Sequence, residues 1–350
     1  MSDRPGPERP GEELDRERLA AFLREALGIE GDPEVEQFAS GYSNLTYLVR
    51  AGGREMVLRR PPVGSRVKTA HDMGREHLIL TRLRPVYELV PRTLAACADP
   101  AVLGFPFYLM ERVPGVVLRG RGTPEALPPA TALALAEAIV ANLARLHALD
   151  WRAAGLGEIG HPEGYAARQV RGWSERWRGS QTDELPEMDA AAAWLAAHVP
   201  AEAGAALVHN DYKHDNLVLD PADLTRIRAV LDWEMATLGD PLMDLGTTLG
   251  YWVEAGDPEE LRGLAFGPTA LPGNPTRAEL AALYATASGR DLGALAFYYA
   301  FGLFKIAVIA QQIYFRWKQG LTKDPRFGRL LPAIRTLGRR AQRVTAGEPV

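Results

Sequence analysis

The segment from His209 to Asn216, HNDYKHDN, carries the side chains whose types and spacing most clearly suit chemistry. It lies between two short apolar runs, 206–208 and 217–219, and Asp232 follows sixteen residues after Asn216 at the end of a third apolar run. This layout predicts a strand, a polar loop and a tight hairpin that returns Asp232 to the side of Asn216. Two carboxylates and an amide would then converge, a set of groups suited to phosphoryl transfer from Mg·ATP to a hydroxyl.

Asp211 and Lys213 are the predicted catalytic pair of this segment. Phosphoryl transfer needs an aligned hydroxyl and a neutralised γ-phosphate. The carboxylate of Asp211 could orient the hydroxyl and take its proton, and the ammonium of Lys213 could neutralise charge on the transferring group. Each residue alone would be an ordinary turn aspartate or solvated lysine. The spacing to Asn216, and the scarcity of lysine in a chain of 35 arginines and 5 lysines, favour the catalytic interpretation.

Asn216 and Asp232 are the predicted metal ligands. Mg²⁺ prefers a few protein oxygens, completed by water and substrate phosphates, to a full cage of side chains. The alternatives are a strand-entry cap for Asn216 and a solvated strand end for Asp232. His209 is expected to brace the loop and not to bind a metal, since no second histidine at helical spacing and no cysteine lies nearby.

The N-terminal part of the chain offers groups that could hold phosphates. Backbone amides around Ser40, Gly41 and Ser43 could close over them, although an ordinary hairpin turn explains the same residues. Arg59 shares a strand face with Val57 and could bind the α- and β-phosphates. Glu76, on the next predicted helix, would orient Arg59 through an ion pair; the alternative is two surface charges of little energetic weight.

Composition excludes several classes of protein. The 350 residues carry a net charge of only −4, which gives no basic field for nucleic acid or an anionic membrane. The single cysteine, Cys97, excludes a disulfide within the chain and favours a reducing compartment. The N-terminal residues lack the apolar core of a secretory signal. The longest apolar run, 292–310, is interrupted by Lys305 and predicts a buried helix. We therefore expect a cytoplasmic protein without nucleic-acid or membrane partners, and the oligomeric state stays open.

The pattern of elements predicts an α+β fold with two lobes. Strand signals dominate as far as about residue 112, with one helix at 69–83, and helical periodicity dominates afterwards. We expect residues 1–13 to form a disordered tail, 14–112 an N-terminal lobe of antiparallel sheet, and 113–350 a larger helical lobe. Ligand sites favour the cleft between such lobes.

Two blocks of sequence carry a resemblance to a known family. They are LVHNDYKHDNLVLDP and AVLDWEMATLGDPLMDLG, and they resemble the aminoglycoside phosphotransferase-like branch of the protein-kinase-like fold. The resemblance covers about residues 33 to 330. FASGYSNLTYLV, MVLRRPP, PFYLMERVPG and YYAFGLFKIAVIAQQIY look closest to the kinase-like domains found beside acyl-CoA dehydrogenases.

This resemblance implies a role for each predicted site residue. Asp211 corresponds to the catalytic base and Lys213 to the catalytic-loop lysine, while Asn216 and Asp232 correspond to the metal ligands.

Arg59 occupies the position of the phosphate-binding lysine. Backbone groups of Glu111 and Val113 would hydrogen-bond the adenine of ATP. One further departure is Asn210, where the family usually has glycine.

The resulting hypothesis is an ATP- and Mg²⁺-dependent kinase of a small-molecule hydroxyl. The C-terminal helices hold aromatic residues and show no dense acidic cluster, which suits an acyl or anionic acceptor such as a hydroxyacyl-CoA better than a polycation. A regulatory pseudokinase and an aminoglycoside or other antibiotic kinase remain as alternatives. The aromatic and cationic residues of this region, more often core than ligand contacts, are Trp173, Trp177, Tyr251, Trp252, Tyr298, Tyr299, Lys305 and Tyr314.

Overall fold

The computed structural model describes residues 5–38, 44–62, 72–119, 127–264, 266–322 and 324–350. The chain divides into two compact units. The sheet unit comprises Met1–Val117, Arg152–Ile159 and Leu217–Ala236. The helical unit comprises Leu118–Trp151, Gly160–Asn216 and Thr237–Val350. The expected boundary between residues 112 and 113 would assign Arg152–Ile159 and Leu217–Ala236 to the helical lobe. In the structure both segments belong to the sheet unit.

The sheet unit is built on five antiparallel strands with three helices, numbered here along the chain. The elements are α1 (Arg16–Leu27), β1 (Glu34–Gln37), β2 (Leu45–Ala51), β3 (Arg54–Arg60), α2 (Met73–Leu83), β4 (Thr93–Cys97), α3 (Pro100–Leu103) and β5 (Phe107–Glu111). The sheet has the order β1-β2-β3-β5-β4. The two glycines between β2 and β3 both have positive φ, as a two-residue hairpin turn requires.

Residues 5–13, which we expected to be disordered, are ordered in the structure. Gly6 pairs with Gln37 through backbone hydrogen bonds of 2.9 and 2.7 Å at the edge of the sheet. The hydroxyl of Tyr47 donates to the carbonyl of Glu12 at 2.7 Å. These contacts differ from the expected disorder, because a polar, proline-rich segment can satisfy the unpaired groups of an edge strand without an apolar core of its own.

A second hairpin in the sheet unit follows residues 209–216, which we name the catalytic segment after its predicted role. It joins β7 (Leu217–Leu219) to β8 (Ile227–Val230), and Leu217 pairs with Val230. Val218 and Ala229 pack with Val117 into a small apolar cluster. The predicted hairpin is confirmed, whereas joint metal binding by the residues that precede and follow it stays a prediction.

The helical unit contains two short strands and eight α-helices among its described residues. Two of the helices, α4 and α10, have the length and hydropathy to span a membrane, but 50% and 72% of their most apolar windows is buried within the protein, as in core helices. The elements are α4 (Pro129–His147), α5 (Tyr165–Ser180), α6 (Pro186–Ala197), β6 (Ala206–Val208), β9 (Thr237–Gly239), α7 (Pro241–Tyr251), α8 (Glu259–Arg262), α9 (Arg277–Ser288), α10 (Leu295–Lys318) and α11 (Leu331–Thr345).

Helices α7 and α10 touch through their backbones. A methyl group on Gly302 of α10 would lie 2.1 Å from the carbonyl oxygen of Gly246 in α7. One on Gly246 would lie 2.1 Å from the carbonyl oxygen of Tyr298. Only glycine permits this approach, because any Cβ would overlap backbone atoms that cannot rotate away. The close contact fixes both helices, and both carry side chains that reach the catalytic segment.

Lys305 on α10 is fully buried beneath the catalytic segment. Its ammonium donates to the backbone carbonyl of Asn210 at 2.6 Å, and its side chain is 1% exposed. Burial lowers the pKa of Lys305 to about 8; the charges of Asp244 and Asp211 oppose this effect in part. The lysine thus anchors the loop at the residue before Asp211.

We expect Gly302→Ala to destabilise the protein by about 1–3 kcal/mol, the usual penalty of overpacking. Urea denaturation measures the change. Gly179→Ala is the matched control, since Gly179 lies within α5 and a methyl group there meets nothing within 4 Å. This control should be neutral or slightly stabilising, because alanine favours helix. Equal effects of the two substitutions would contradict the backbone contact.

The stability of wild type relative to Lys305→Met should rise with pH between about 8 and about 10.4. In that interval the unfolded lysine still binds its proton, whereas the folded one has released it, so the penalty for burying a charge disappears. The gain is up to about 3 kcal/mol. Denaturation at pH 7, 8, 9 and 10 tests this expectation. A flat difference would contradict it, as would the same slope for Lys318→Met at the exposed end of α10.

Candidate active site

The catalytic segment leaves β6 and is held by one buried carboxylate. The backbone N–H groups of His209 and Asn210 donate to the two oxygens of Asp244, each at 2.7 Å. His147 lies 3.1 Å from the same carboxylate, which is wholly buried. Burial alone would raise the pKa of Asp244, but the hydrogen bonds and charges of His147 and His209 hold it below its usual value. The charged carboxylate therefore fixes the path of the loop before Asp211.

Asn210 adopts a left-handed backbone conformation, with φ of 67°. This explains the departure seen in the sequence: the position favours glycine, and asparagine is among the few other residues that accept it. Its side-chain amide donates to the hydroxyl of Tyr165 at 2.9 Å. The asparagine thus keeps the conformation that glycine would provide and adds a hydrogen bond to α5.

Asp211 receives three side-chain hydrogen bonds. Its Oδ2 accepts from Nζ of Lys213 at 2.8 Å and from Nδ2 of Asn216 at 2.9 Å. Its Oδ1 accepts from the hydroxyl of Tyr251 at 2.7 Å. Burial, the largest single effect, lowers the pKa of Lys213, but the charge and hydrogen bond of Asp211 and the neighbouring Tyr251 raise it, and the net shift is upward. The predicted catalytic pair is therefore in direct contact as a charged pair.

The amide of Asn216 has a defined orientation. Its nitrogen donates to the backbone carbonyl of Asp211 at 2.8 Å as well as to the carboxylate. Because both partners are acceptors, the nitrogen must face them, and the amide oxygen must face away. A neutral oxygen is then available as a ligand for a hard cation.

The polar face of α7 contacts the catalytic segment, but it was not among the predicted site features, and Tyr251 was named only as an aromatic residue. Asp244, Thr248 and Tyr251 follow at intervals of four and three residues, which places them on one face of the helix. Thr248, which lies between the other two residues on the helix, donates its hydroxyl to the carbonyl of Tyr212 at 2.9 Å. Asp240 caps the helix by accepting from the N–H of Leu242 at 2.9 Å. The polar i, i+4, i+7 stripe was a signal that could have revealed this face.

A second charged cluster lies in the sheet unit. Arg59 forms the predicted ion pair with Glu76 at 2.9 Å, and its other terminal nitrogen lies 2.8 Å from Oδ1 of Asp232. Burial lowers the pKa of Arg59, but these carboxylates outweigh it and the net shift is strongly upward. Burial raises the pKa of Glu76, which the arginine opposes. The side chain of Asp232 is 31% exposed, so this carboxylate remains accessible.

Further contacts order the same cluster. The N–H of Trp233 donates to Glu76 at 3.2 Å, next to Asp232, whose φ is 68°. Asn44 donates to Glu234 at 2.6 Å, and Glu234 is a residue that sequence analysis did not select.

Arg60 belongs to the opposite face of the sheet, as strand alternation predicts, and its guanidinium stacks on Phe105 at 4.1 Å from the ring centroid.

The remaining predicted nucleotide contacts are described only in part. Glu111 lies at the end of β5, where its N–H donates to the carbonyl of Arg92 at 2.8 Å. Its own carbonyl is then the backbone group with which it would meet a ligand, and Val113 follows two residues later. The predicted phosphate loop at Ser40, Gly41 and Ser43 lies outside the described residues.

A small pocket opens beside Asp211 within the helical unit. Lys213 and Tyr251, both bonded to Asp211, contribute to its wall. Phe266 meets the ring of Tyr251 edge-on, with 5.1 Å between centroids. Burial lowers the pKa of His214, another wall residue, to about 4. The lining side chains are Ile139, Lys213, His214, Thr248, Tyr251, Trp252 and Phe266.

Known proteins share this architecture. A solved structure of a Ralstonia eutropha protein assigned as an aminoglycoside phosphotransferase superposes with a TM-score of 0.80 at 32% identity, covering 97% of this chain and 100% of that one. An aminoglycoside phosphotransferase solved with AMP-PNP and hygromycin B superposes with a TM-score of 0.61 over 94% and 99% of the two chains. Its identity of 17% shows the fold alone.

Sequence relatives give the family. Acyl-CoA dehydrogenase family member 10 of Mus musculus is 35% identical over 307 residues, which are 87% of this chain and 28% of that protein. The chain thus spans less than a third of the length of this relative. The model of the phosphotransferase enzyme family matches residues 34–283. With the predicted kinase-like fold confirmed, the chain belongs to the phosphotransferase enzyme family.

Proposed function

We propose that the protein is an ATP- and Mg²⁺-dependent phosphotransferase whose acceptor is the hydroxyl group of a small molecule. The orientation of Asp211 is the observation that carries this proposal. Three donors hold its carboxylate in one position beside a pocket, so it can accept the proton of a hydroxyl that enters there. Lys213 is in place to stabilise negative charge on the transferring group.

We assign Mg²⁺ to the carboxylate of Asp232 and the amide oxygen of Asn216. Both are hard oxygen donors, which fits a cation that keeps water and phosphate oxygens as its other ligands. The carboxylate is partly exposed and the amide oxygen is turned away from Asp211. When bound, the cation neutralises charge on the β- and γ-phosphates.

Arg59 is proposed to bind the nucleotide phosphates, positioned by its ion pair with Glu76. Its planar guanidinium can hold a carboxylate and a phosphate with different nitrogens, unlike a single ammonium group. The carbonyl of Glu111 and the N–H of Val113 are assigned to adenine, and the loop at 40–43 to the phosphates. That a protein of the same fold was solved with AMP-PNP supports the use of ATP.

A hydroxyacyl-CoA is the acceptor that we favour. The relatives include acyl-CoA dehydrogenase family members, and aromatic rings form much of the pocket beside Asp211. An aminoglycoside would bring several ammonium groups, which bind best next to carboxylates, and none of the described residues that line this pocket is a carboxylate.

A nucleotide-binding pseudokinase is the competing hypothesis. It is motivated by Arg59 in the place of lysine and by the presence of a single glycine, Gly41, in the predicted phosphate loop at 39–44. A protein that only binds nucleotide has no use for an aspartate held by three donors next to a pocket. Mg·ATP binding without transfer to any acceptor or to water would favour this alternative.

We expect Asp211→Asn to lower phosphoryl transfer by about 10²–10⁴-fold, because the amide cannot take the proton of the acceptor. Transfer from Mg·ATP is measured over a panel that contains a 3-hydroxyacyl-CoA and an aminoglycoside. The Mg·ATP-induced rise in melting temperature should persist in the variant.

Asp223→Asn provides the control for that experiment, since Asp223 lies in the turn between β7 and β8 and bonds only locally to Thr225. It should retain wild-type transfer. Equal activity of wild type and Asp211→Asn with a genuine acceptor would refute the assigned base.

Arg59→Met should lower stability by roughly 3–5 kcal/mol, because it leaves Glu76 buried without its cation. The double variant Arg59→Met with Glu76→Gln should recover part of this loss. Affinity for Mg·ATP should fall in both variants, since neither keeps the phosphate ligand. Calorimetric titration and denaturation separate the two effects. Full recovery of nucleotide affinity in the double variant would contradict phosphate binding by Arg59.

A further inference from the structure

We propose that Tyr251 is the positioning residue of Asp211 and, through its ring, a determinant of which alcohol the protein accepts. This inference rests on the proposed phosphotransferase function and deepens it. It assigns to one side chain both the alignment of the base and the selection of acceptors whose hydroxyl is carried on an apolar, uncharged skeleton.

The hydrogen bonds of Asp211 divide its two oxygens unequally. Lys213 and Asn216 both donate to Oδ2, while Oδ1 accepts from the hydroxyl of Tyr251 at 2.7 Å. Oδ1 therefore keeps more capacity to accept a further hydrogen bond. An acceptor hydroxyl that binds there lies next to the phenol, which fixes the rotation of the carboxylate about its last bond.

Tyr251 is itself held firmly. It closes α7, whose glycine contact with α10 fixes the helix, and it is 8% exposed. The ammonium of Lys213 lies 4.6 Å from its ring centroid, and Phe266 packs against its edge. Burial and the charge of Asp211 raise the pKa of Tyr251 above its ordinary value. The phenol therefore keeps its proton and acts as a donor.

The pocket that begins at this ring indicates the chemistry of the acceptor. Trp252 and Phe266 extend the aromatic wall, and Ile139 adds an aliphatic side. Lys213 is the cation of the wall, and its charge is paired with Asp211. An apolar group carried next to the reacting hydroxyl would contact these rings, whereas an ammonium group there would face Lys213, since none of the described wall residues is a carboxylate.

The transfer step balances with these groups. The acceptor oxygen forms the new bond to the γ-phosphorus of ATP while the bond between that phosphorus and the leaving oxygen of ADP breaks. The acceptor proton passes to Oδ1 of Asp211. Tyr251 loses no proton and forms no covalent bond, so its contribution is to hold the accepting oxygen in line.

The test compares Tyr251→Phe, which removes only the hydroxyl, with Tyr251→Leu, which also removes the ring. With a 3-hydroxyacyl-CoA as the probe, we expect Tyr251→Phe to lower kcat about ten- to hundred-fold, since a hydrogen bond to a charged group is lost. Its KM for the acceptor should stay within about two-fold of wild type. Tyr251→Leu should also raise the acceptor KM about ten-fold, through the lost ring contact. The KM for ATP should not change in either variant.

Tyr314→Phe supplies the matched control. Tyr314 lies on α10, stacks on Trp317 and is not among the described residues that line the pocket beside Asp211, so this variant should keep wild-type kcat and KM. Mg·ATP-induced stabilisation in every variant verifies that each one is folded.

Three results would overturn the inference. They are a kcat of Tyr251→Phe within about two-fold of wild type, a loss of the same size in Tyr314→Phe, or a preference of wild type for an aminoglycoside over the hydroxyacyl-CoA. If wild type transfers phosphate only to water, the same kcat comparison on ATP hydrolysis decides the positioning role, and the acceptor class is refuted. If wild type turns over no ATP, the proposed function fails and the inference fails with it. Turnover that Asp211→Asn abolishes but Tyr251→Phe leaves intact refutes the inference alone.

Discussion

The carboxylate of Asp244 is the constraint on which the helical unit of the site depends. It accepts two backbone N–H groups at the start of the catalytic segment and a contact from His147, all within the core. A buried carboxylate is tolerable only when its oxygens are satisfied in this way. Since the two N–H groups belong to consecutive residues, the carboxylate fixes both the position and the direction of the chain. The backbone of Asp211, the next residue, therefore starts from a fixed position and direction.

Electrostatic pairing is the second theme of the molecule. Asp211 is accompanied by Lys213, and Glu76 and Asp232 share Arg59. The charge of Arg59 opposes the rise that burial causes in the pKa of Glu76. The same cations suit phosphate oxygens, so the groups that stabilise the folded protein are also those to which we assign the binding of nucleotide and transferred phosphate.

One helix connects packing to specificity. The glycines of α7 allow its backbone to touch α10. The polar face of α7, with Asp244, Thr248 and Tyr251, contacts residues 209–212 of the catalytic segment. The end of this helix also reaches the pocket wall. Substitutions near Tyr251 are therefore expected to change the proposed acceptor, while the N-terminal part of α7 keeps Asp211, the proposed base, in place.

The order of residue types determined much of this protein. Local spacing predicted the strand, loop and hairpin around Asp211, the sheet that carries Arg59, and its ion pair with Glu76. Tertiary structure decided what local spacing does not encode. The grip of Asp244 on residues about 35 positions away, the approach of Tyr251 to Asp211, and the order of residues 5–13 arise from packing between elements distant in sequence. Periodicity identifies which face of a helix is polar, but only the packed fold decides which groups that face will meet.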